Sequence, residues 1–267
     1  MNIVVCIKQI PDPETPAAQF KIDSATNKVV PAQGVPPKIS PFDENAIETA
    51  VQLKEKAGGG KVTVISMGSK QAGEALKTAV AMGCDEGVLL DDPAFADGDS
   101  TTTATVLAAA INKIGACDLV VTGRQAADWD AGQVGSGIAE LLGVPAVMPA
   151  RGIEVSDGMA KVQRVVDDGY EVLEVPLPAV VSVSNEINTP RYPTLKGIMT
   201  AARKQIPVWS AADLGLDASS VGAAGARSKL LKLFVPVREG KCEVMEGETV
   251  EEMAANLAKA LRSAKLI

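Results

Sequence analysis

The sequence predicts an α/β protein built on a doubly wound parallel sheet. Three observations carry this. Short apolar, β-branched runs recur between Ile3 and Val183, and from position 41 to position 142 helical segments of crossover length alternate with them. One run, at residues 179–183, is compact, largely apolar and β-branched, as in strands covered on both faces.

Residues 3–7 read as the first strand, followed by a loop at residues 9–16 whose three prolines forbid a long helix. Residues 20–22 and 28–30 flank a polar turn and read as a β-hairpin insertion. A helix is expected at 41–58: Pro41 stands at its start, Asp43 and Glu44 in its first turn, and Ala46, Ile47, Ala50, Val51 and Leu53 keep helical spacing before three glycines stop it. Strands follow at 62–67, 87–90 and 119–122, with helices at 69–82, 100–114 and 132–142 between and after them. Asp167-Asp168-Gly169, between two strand-like runs, signals a tight hairpin and a short edge ribbon. Beyond Thr200 the periodicity weakens, glycines punctuate an Ala- and Ser-rich stretch, and an amphipathic helix at 249–264 ends the chain with acids first and bases last. The expected division is therefore a nucleotide-binding α/β domain at 1–199 and a C-terminal arm at 200–267 that packs on another chain.

Composition excludes several classes. A net charge of −7 over 267 residues offers no basic face for nucleic acid or an anionic membrane. No apolar run is long enough to span a bilayer, and the N-terminus reads directly as a strand, so a cytoplasmic protein without membrane insertion is expected. Cys6, Cys84, Cys117 and Cys242 are scattered without metal-ligand spacing and read as buried free thiols. The absence of histidine removes the commonest acid–base group near neutral pH and fits chemistry that belongs to a bound cofactor.

Residues 123–135 follow a strand and open a helix with glycines, an arrangement suited to a phosphate or pyrophosphate, though equally to a tight connection. Neither the Walker lysine pattern nor a dinucleotide fingerprint after the first strand is present. Asp99, Ser100 and Thr103 form a second helix start, which also reads as a plain N-cap. Leu195 is an apolar residue in a polar, Pro-bounded loop, either an exposed anchor or folded back on the core.

Arg164, Asp167, Asp168, Gly169, Glu171, Leu173, Pro178 and Val180-Val181-Ser182 fall in an order and spacing that resembles the β-subunit signature of the electron transfer flavoproteins. The resemblance extends to residues 4–10, Ser40-Pro41-Phe42, residues 123–135 and residues 190–199, and so spans most of the chain. It implies an adenine nucleotide alpha hydrolase-like fold and a heterodimer. The α-subunit would hold the transfer-active FAD, and this chain would help carry electrons from a flavin dehydrogenase, such as an acyl-CoA dehydrogenase, to an acceptor. Cofactor-binding roles would fall to Cys6, Lys8, Phe42, Met67, Asp99, Ser100, Thr103, Gly123, Arg124, Asp128, Gly132, Gln133, Val134 and Gly135. Partner-binding roles would fall to Arg191, Tyr192, Leu195, Ile198 and Met199.

Respiratory members of the family bind AMP in the β-subunit and carry Lys, Asn and Thr where this chain has Arg124, Gly132 and Val134. Those departures, with Asp99, Ser100 and Thr103, resemble the electron-bifurcating and nitrogen-fixation-type branch, whose β-subunit holds a second FAD. With FAD there, the resemblance implies hydride uptake from NADH; with AMP, a structural nucleotide in a pure carrier. A stand-alone adenine-nucleotide binder of the stress-protein type shares the fold and is the alternative of another class.

Overall fold

A computed structural model of the chain describes residues 1–236, 240 and 242–267. They form two compact units, Met1–Lys232 and Leu233–Ile267. The strands are β1 (Asn2–Ile7), β2 (Gln9–Ile10), β3 (Lys21–Asp23), β4 (Lys28–Val30), β5 (Lys38–Ile39), β6 (Lys61–Met67), β7 (Glu86–Leu90), β8 (Leu119–Gly123), β9 (Ala146–Ser156), β10 (Met159–Val166), β11 (Gly169–Pro176), β12 (Ala179–Val183) and β13 (Val208–Trp209). The helices are α1 (Pro41–Lys56), α2 (Gly73–Met82), α3 (Ser100–Ile114), α4 (Val134–Leu142), α5 (Leu195–Arg203), the single turn α6 (Gly222–Gly225) and α7 (Val250–Ser263).

Nine strands make one sheet in the order β11-β10-β9-β12-β8-β1-β6-β7-β13. All run parallel from β9 to β13; β10 and β11 turn back on β9 as an antiparallel meander, which leaves β11 as an edge. Alternate residues of β1 supply two cores. Ile3, Val5 and Ile7 face α1 and α2, while Val4 and Cys6 face α3 and α4. Burial on both faces, at roughly 1.5–3 kcal/mol for each valine and isoleucine, holds the layers together.

The parallel sheet, the β3–β4 hairpin and the Asp167-Asp168 turn follow the expectation. The meander is longer than a short ribbon, because β9 adds eleven residues that Pro149 and Gly152 concealed in the sequence. The helix expected from position 69 opens as a 3-10 turn at Lys70–Ala72 and is α-helical only from Gly73. Helix α4 starts two residues later than expected, since Gly132 has φ +64°, outside the helical region. Residues 200–232, expected to offer little to a core, contribute the edge strand β13 and the buried Ala201, Ala211 and Val221. Cys6 and Cys84 are buried thiols as expected, but Cys117 is half-buried and Cys242 is exposed.

Leu195 does not lie in a loop. It opens α5, where Thr194 caps the helix by accepting a hydrogen bond from Gly197 N at 3.0 Å. Gly197 rests against the Ala81 carbonyl so closely that a Cβ could not be placed there, and Ala201 packs with Val80 and Ala81. One side of α5 is thus seated on α2.

In Leu233–Ile267 the main element is α7, begun by a Thr249 cap on Glu252 N at 3.2 Å. None of its residues is buried. Val250, Met253 and Leu257 line an exposed apolar stripe.

Candidate functional site

Strand β1 lies between β8 and β6, the point where the winding of the sheet reverses. At such a point successive crossovers leave on opposite faces, and a crevice opens beyond the carboxyl ends of the strands. Helix α1 bounds it from one face. Helices α3 and α4 bound it from the other, packed so closely that a Cβ on Gly137 would sit 2.8 Å from that of Ala104. Both residues lie about one turn into their helices, so the starts of α3 and α4 stand side by side.

The start of α1 braces the loop that follows β8. The Asp43 carboxylate accepts hydrogen bonds from Lys8 N at 2.8 Å and Gly123 N at 3.2 Å, tying the ends of β1 and β8 together. Its burial pushes the carboxyl up to about 7, while the two backbone donors pull it down. Ser40 Oγ accepts from Ala127 N at 3.3 Å, and Lys8 Nζ pairs with Asp128 at 2.7 Å. The Arg124 guanidinium lies over the Phe42 ring, 5.4 Å from its centroid. Lys8, Phe42, Gly123, Arg124 and Asp128 are therefore brought together, around Asp43, which the sequence reading placed only as an acid in a helical first turn.

The glycines of this loop differ in purpose. A Cβ on Gly123 would meet Phe42 Cβ at 2.8 Å, and one on Gly135 would meet Thr122 Oγ1 at 2.9 Å, so both make room for neighbouring side chains. Only Gly132 is required by its backbone. Past Gln133, α4 begins without any side-chain cap and without an acid in its first turn. Its first N–H groups and the positive end of its dipole are the natural place for a phosphate.

The start of α3 is closed by contrast. Asp99 Oδ1 accepts from Thr101 N and Thr102 N, both at 3.0 Å, and Thr102 Oγ1 accepts from Asp99 N at 3.0 Å. Asp99 Oδ2 accepts from Arg227 N at 2.8 Å and Ser228 N at 3.0 Å. The backbone donor of Thr102 above all holds the Asp99 carboxyl far below the usual range. Ser100 and Thr103 stand half-buried beside it. Cys6 is a core thiol whose pKa burial pushes up, and Met67 is partly buried against the same core.

Of the expected partner residues, Tyr192, Leu195, Ile198 and Met199 are exposed. Leu195, Lys196, Met199, Thr200 and Arg203 line a hollow of about 490 Å³. Arg191 turns inward instead, onto Glu48 and Glu55 of α1. A larger cleft, about 740 Å³, lies at the amino ends of the strands by Met1, Asp118 and Pro178, away from the crevice. Among the described residues no acidic, Cys or His cluster could hold a metal, and no helix is long and apolar enough to cross a membrane.

The electron transfer flavoprotein domain matches residues 28–214. The chain is 40% identical over 267 residues to the caffeyl-CoA reductase-Etf complex subunit CarD of Acetobacterium woodii, covering the whole of both. It is 42% identical over 268 residues to the electron transfer flavoprotein subunit beta of Thermoanaerobacterium thermosaccharolyticum, again over both full lengths. With protein FixA of Azorhizobium caulinodans it shares 37% over 244 residues, 88% of this chain and 85% of that one. On the strength of these matches along its whole length, the chain belongs to the electron transfer flavoprotein beta subunit family.

Proposed function

We propose that this chain is one half of a heterodimeric electron transfer flavoprotein, carrying electrons between a flavin dehydrogenase, such as an acyl-CoA dehydrogenase, and an acceptor, and that it holds an FAD of its own. In this reading the sheet is an adenine nucleotide alpha hydrolase-like one, and the protein works in the cytoplasm. The observation that carries the nucleotide part is the uncapped start of α4 beside the residues that Asp43 braces. The donor set fits an extended dinucleotide: open N–H groups at Val134 and Gly135, Arg124 above Phe42, and the hydroxyls of Ser100 and Thr103 on the adjoining helix start.

When bound, the flavin would supply the reversible one- and two-electron redox chemistry. The protein's own part is to orient it and to exclude water around it. Arg124 departs from the AMP-type pattern and favours FAD over AMP. With FAD in place, NADH-dependent electron bifurcation is the finer form of the proposal. The relative's name, a subunit of a caffeyl-CoA reductase-Etf complex, supports a CoA-linked dehydrogenase as partner. The exposed stripe of α7 and the apolar residues after Leu233 supply surface for the α-subunit.

Reverse-phase analysis of nucleotides released from the purified heterodimer tests the proposal. Two FAD per heterodimer and no AMP are expected. AMP released in an amount equal to FAD would refute the β-site assignment and leave a carrier with a structural nucleotide.

A further inference from the structure

The residues expected to meet a partner divide into two kinds. Tyr192 is 93% exposed and Leu195 76%, whereas the Arg191 side chain is engaged by its own protein. Its Nε donates to Glu48 Oε2 at 2.7 Å and its Nη2 to Glu48 Oε1 at 3.1 Å. Nη1 and Nη2 donate to the two oxygens of Glu55 at 2.7 and 3.1 Å, and the Arg191 backbone N–H adds a bond to Glu48 Oε2 at 3.1 Å. Glu48 is buried, which raises its pKa, yet the Arg191 hydrogen bonds outweigh that and hold it below the usual range. Glu55 is lowered by the same guanidinium. Three residues earlier, Asn188 exchanges hydrogen bonds with Asn45 and reaches Thr49 at 2.8 Å. The chain entering the exposed face is thus fastened to α1, and α5 leaving it is seated on α2 through Gly197 and Ala201.

We propose that Arg191 is a positioning residue. It does not meet the partner; it clamps the segment from Tyr192 to Met199 so that the apolar face is ordered before docking. This rests on the reading of that face as a docking surface for a dehydrogenase offering an apolar pocket with an acidic rim, which Lys196 and Arg203 complement. Order held in advance removes part of the entropic cost of association. The planar fork of arginine, which satisfies two carboxylates at once, is required where lysine would serve as a single point charge.

Hydrogen exchange on the heterodimer tests the clamp without any partner. Arg191→Met is expected to speed exchange of the hydrogen-bonded amides at 197–199 by about tenfold, Arg191→Lys by less, with exchange in the sheet and nucleotide content unchanged. Should Arg191→Met fail to fold, Glu55→Gln loosens the exposed half of the clamp alone and is expected to give a smaller rise. Unchanged exchange in a folded Arg191→Met or in Glu55→Gln overturns the proposal. With an acyl-CoA dehydrogenase as electron donor, Arg191→Met is expected to raise KM for the flavoprotein with kcat retained, and to add little in a Leu195→Ala background. A raised KM without faster exchange would make Arg191 a direct contact and also overturn the clamp. If Leu195→Ala leaves KM unchanged while exchange still responds to Arg191, the docking reading fails and the clamp stands.

Discussion

Helices α3 and α4 begin side by side at the same end of the sheet, yet one start is closed and the other open. At α3 the chain supplies its own anion: Asp99 receives two helix N–H groups on one oxygen and two from Arg227 and Ser228 on the other. At α4 no side chain plays that part. A helix start without an internal acceptor leaves its first N–H groups free to meet an external one, whereas an aspartate already holding four backbone donors has little to give a phosphate. Of the two helix starts that the sequence offered for a phosphate, the difference favours the one at Val134 for the proposed nucleotide.

The sharpest test makes α4 resemble α3. Gln133→Asp provides a cap and a negative charge where the phosphate is expected, and should weaken nucleotide binding by roughly 10–100-fold, about 1.4–2.7 kcal/mol, while the protein without nucleotide melts no lower. Equilibrium dialysis with FAD and with AMP measures it. Unchanged affinity for both would remove the phosphate from α4.

The reverse change opens α3. Asp99→Ala should lower stability by about 1–2 kcal/mol in urea unfolding while nucleotide content stays the same. The folded pKa of Asp99 is depressed, so its contribution is present above pH 3.8 and fades as pH falls toward the folded value. The variant should therefore lose less stability on acidification than the parent. Nucleotide lost at unchanged stability would break the contrast.

Asp43 titrates in the opposite sense. Its folded pKa is raised to about 7 from 3.8, so between those values the folded state holds more proton than the unfolded one. Its contribution to stability declines as pH rises through that window and is flat above it. Asp43→Asn should abolish this slope and cost about 1 kcal/mol at low pH, because the amide NH2 has no acceptor for the second N–H group, whereas the hydroxyl of the neutral carboxyl has one. The carboxyl carbon shift of Asp43 against pH is the direct readout, and a midpoint near 4 would show that solvent reaches the brace. An effect of similar size is expected from Gly132→Ala, about 1 kcal/mol from its left-handed backbone, seen as a small fall in melting temperature and in nucleotide affinity.

How far the sequence could be read follows from what each element needs. Val180, Val181 and Val183 announce a strand because both faces of β12 are buried and every position but Ser182 is apolar. Strand β9 is half-covered and carries Pro149 and Gly152, which break the pattern while the backbone pairing survives. Strand β13 has only two residues and owes its existence to β7 rather than to any local preference. In α5, Pro193 and Thr194 suggested a loop, but they precede a capped helix whose seat is on α2. At the site, glycines and helix starts were legible, and the start at Asp99 also read as a plain N-cap; that the second oxygen of Asp99 is occupied as well was not, since its donors come from residues 227 and 228, far along the chain. Asp43 was read as one acid in a helical first turn because its partners, Lys8 and Gly123, meet only once the sheet has formed.

Strand β11 carries a further consequence. It is an eight-residue edge of a large sheet, and an open edge is a template on which strands of other molecules can grow into aggregates. Here that edge holds Glu171 and Glu174 and closes on Pro176, with Glu171 anchored by Arg164 on the neighbouring strand. Like charges and a missing N–H discourage a second copy from aligning there. For a subunit of a complex, an edge of this kind disfavours pairing with a second copy of itself during any interval before assembly.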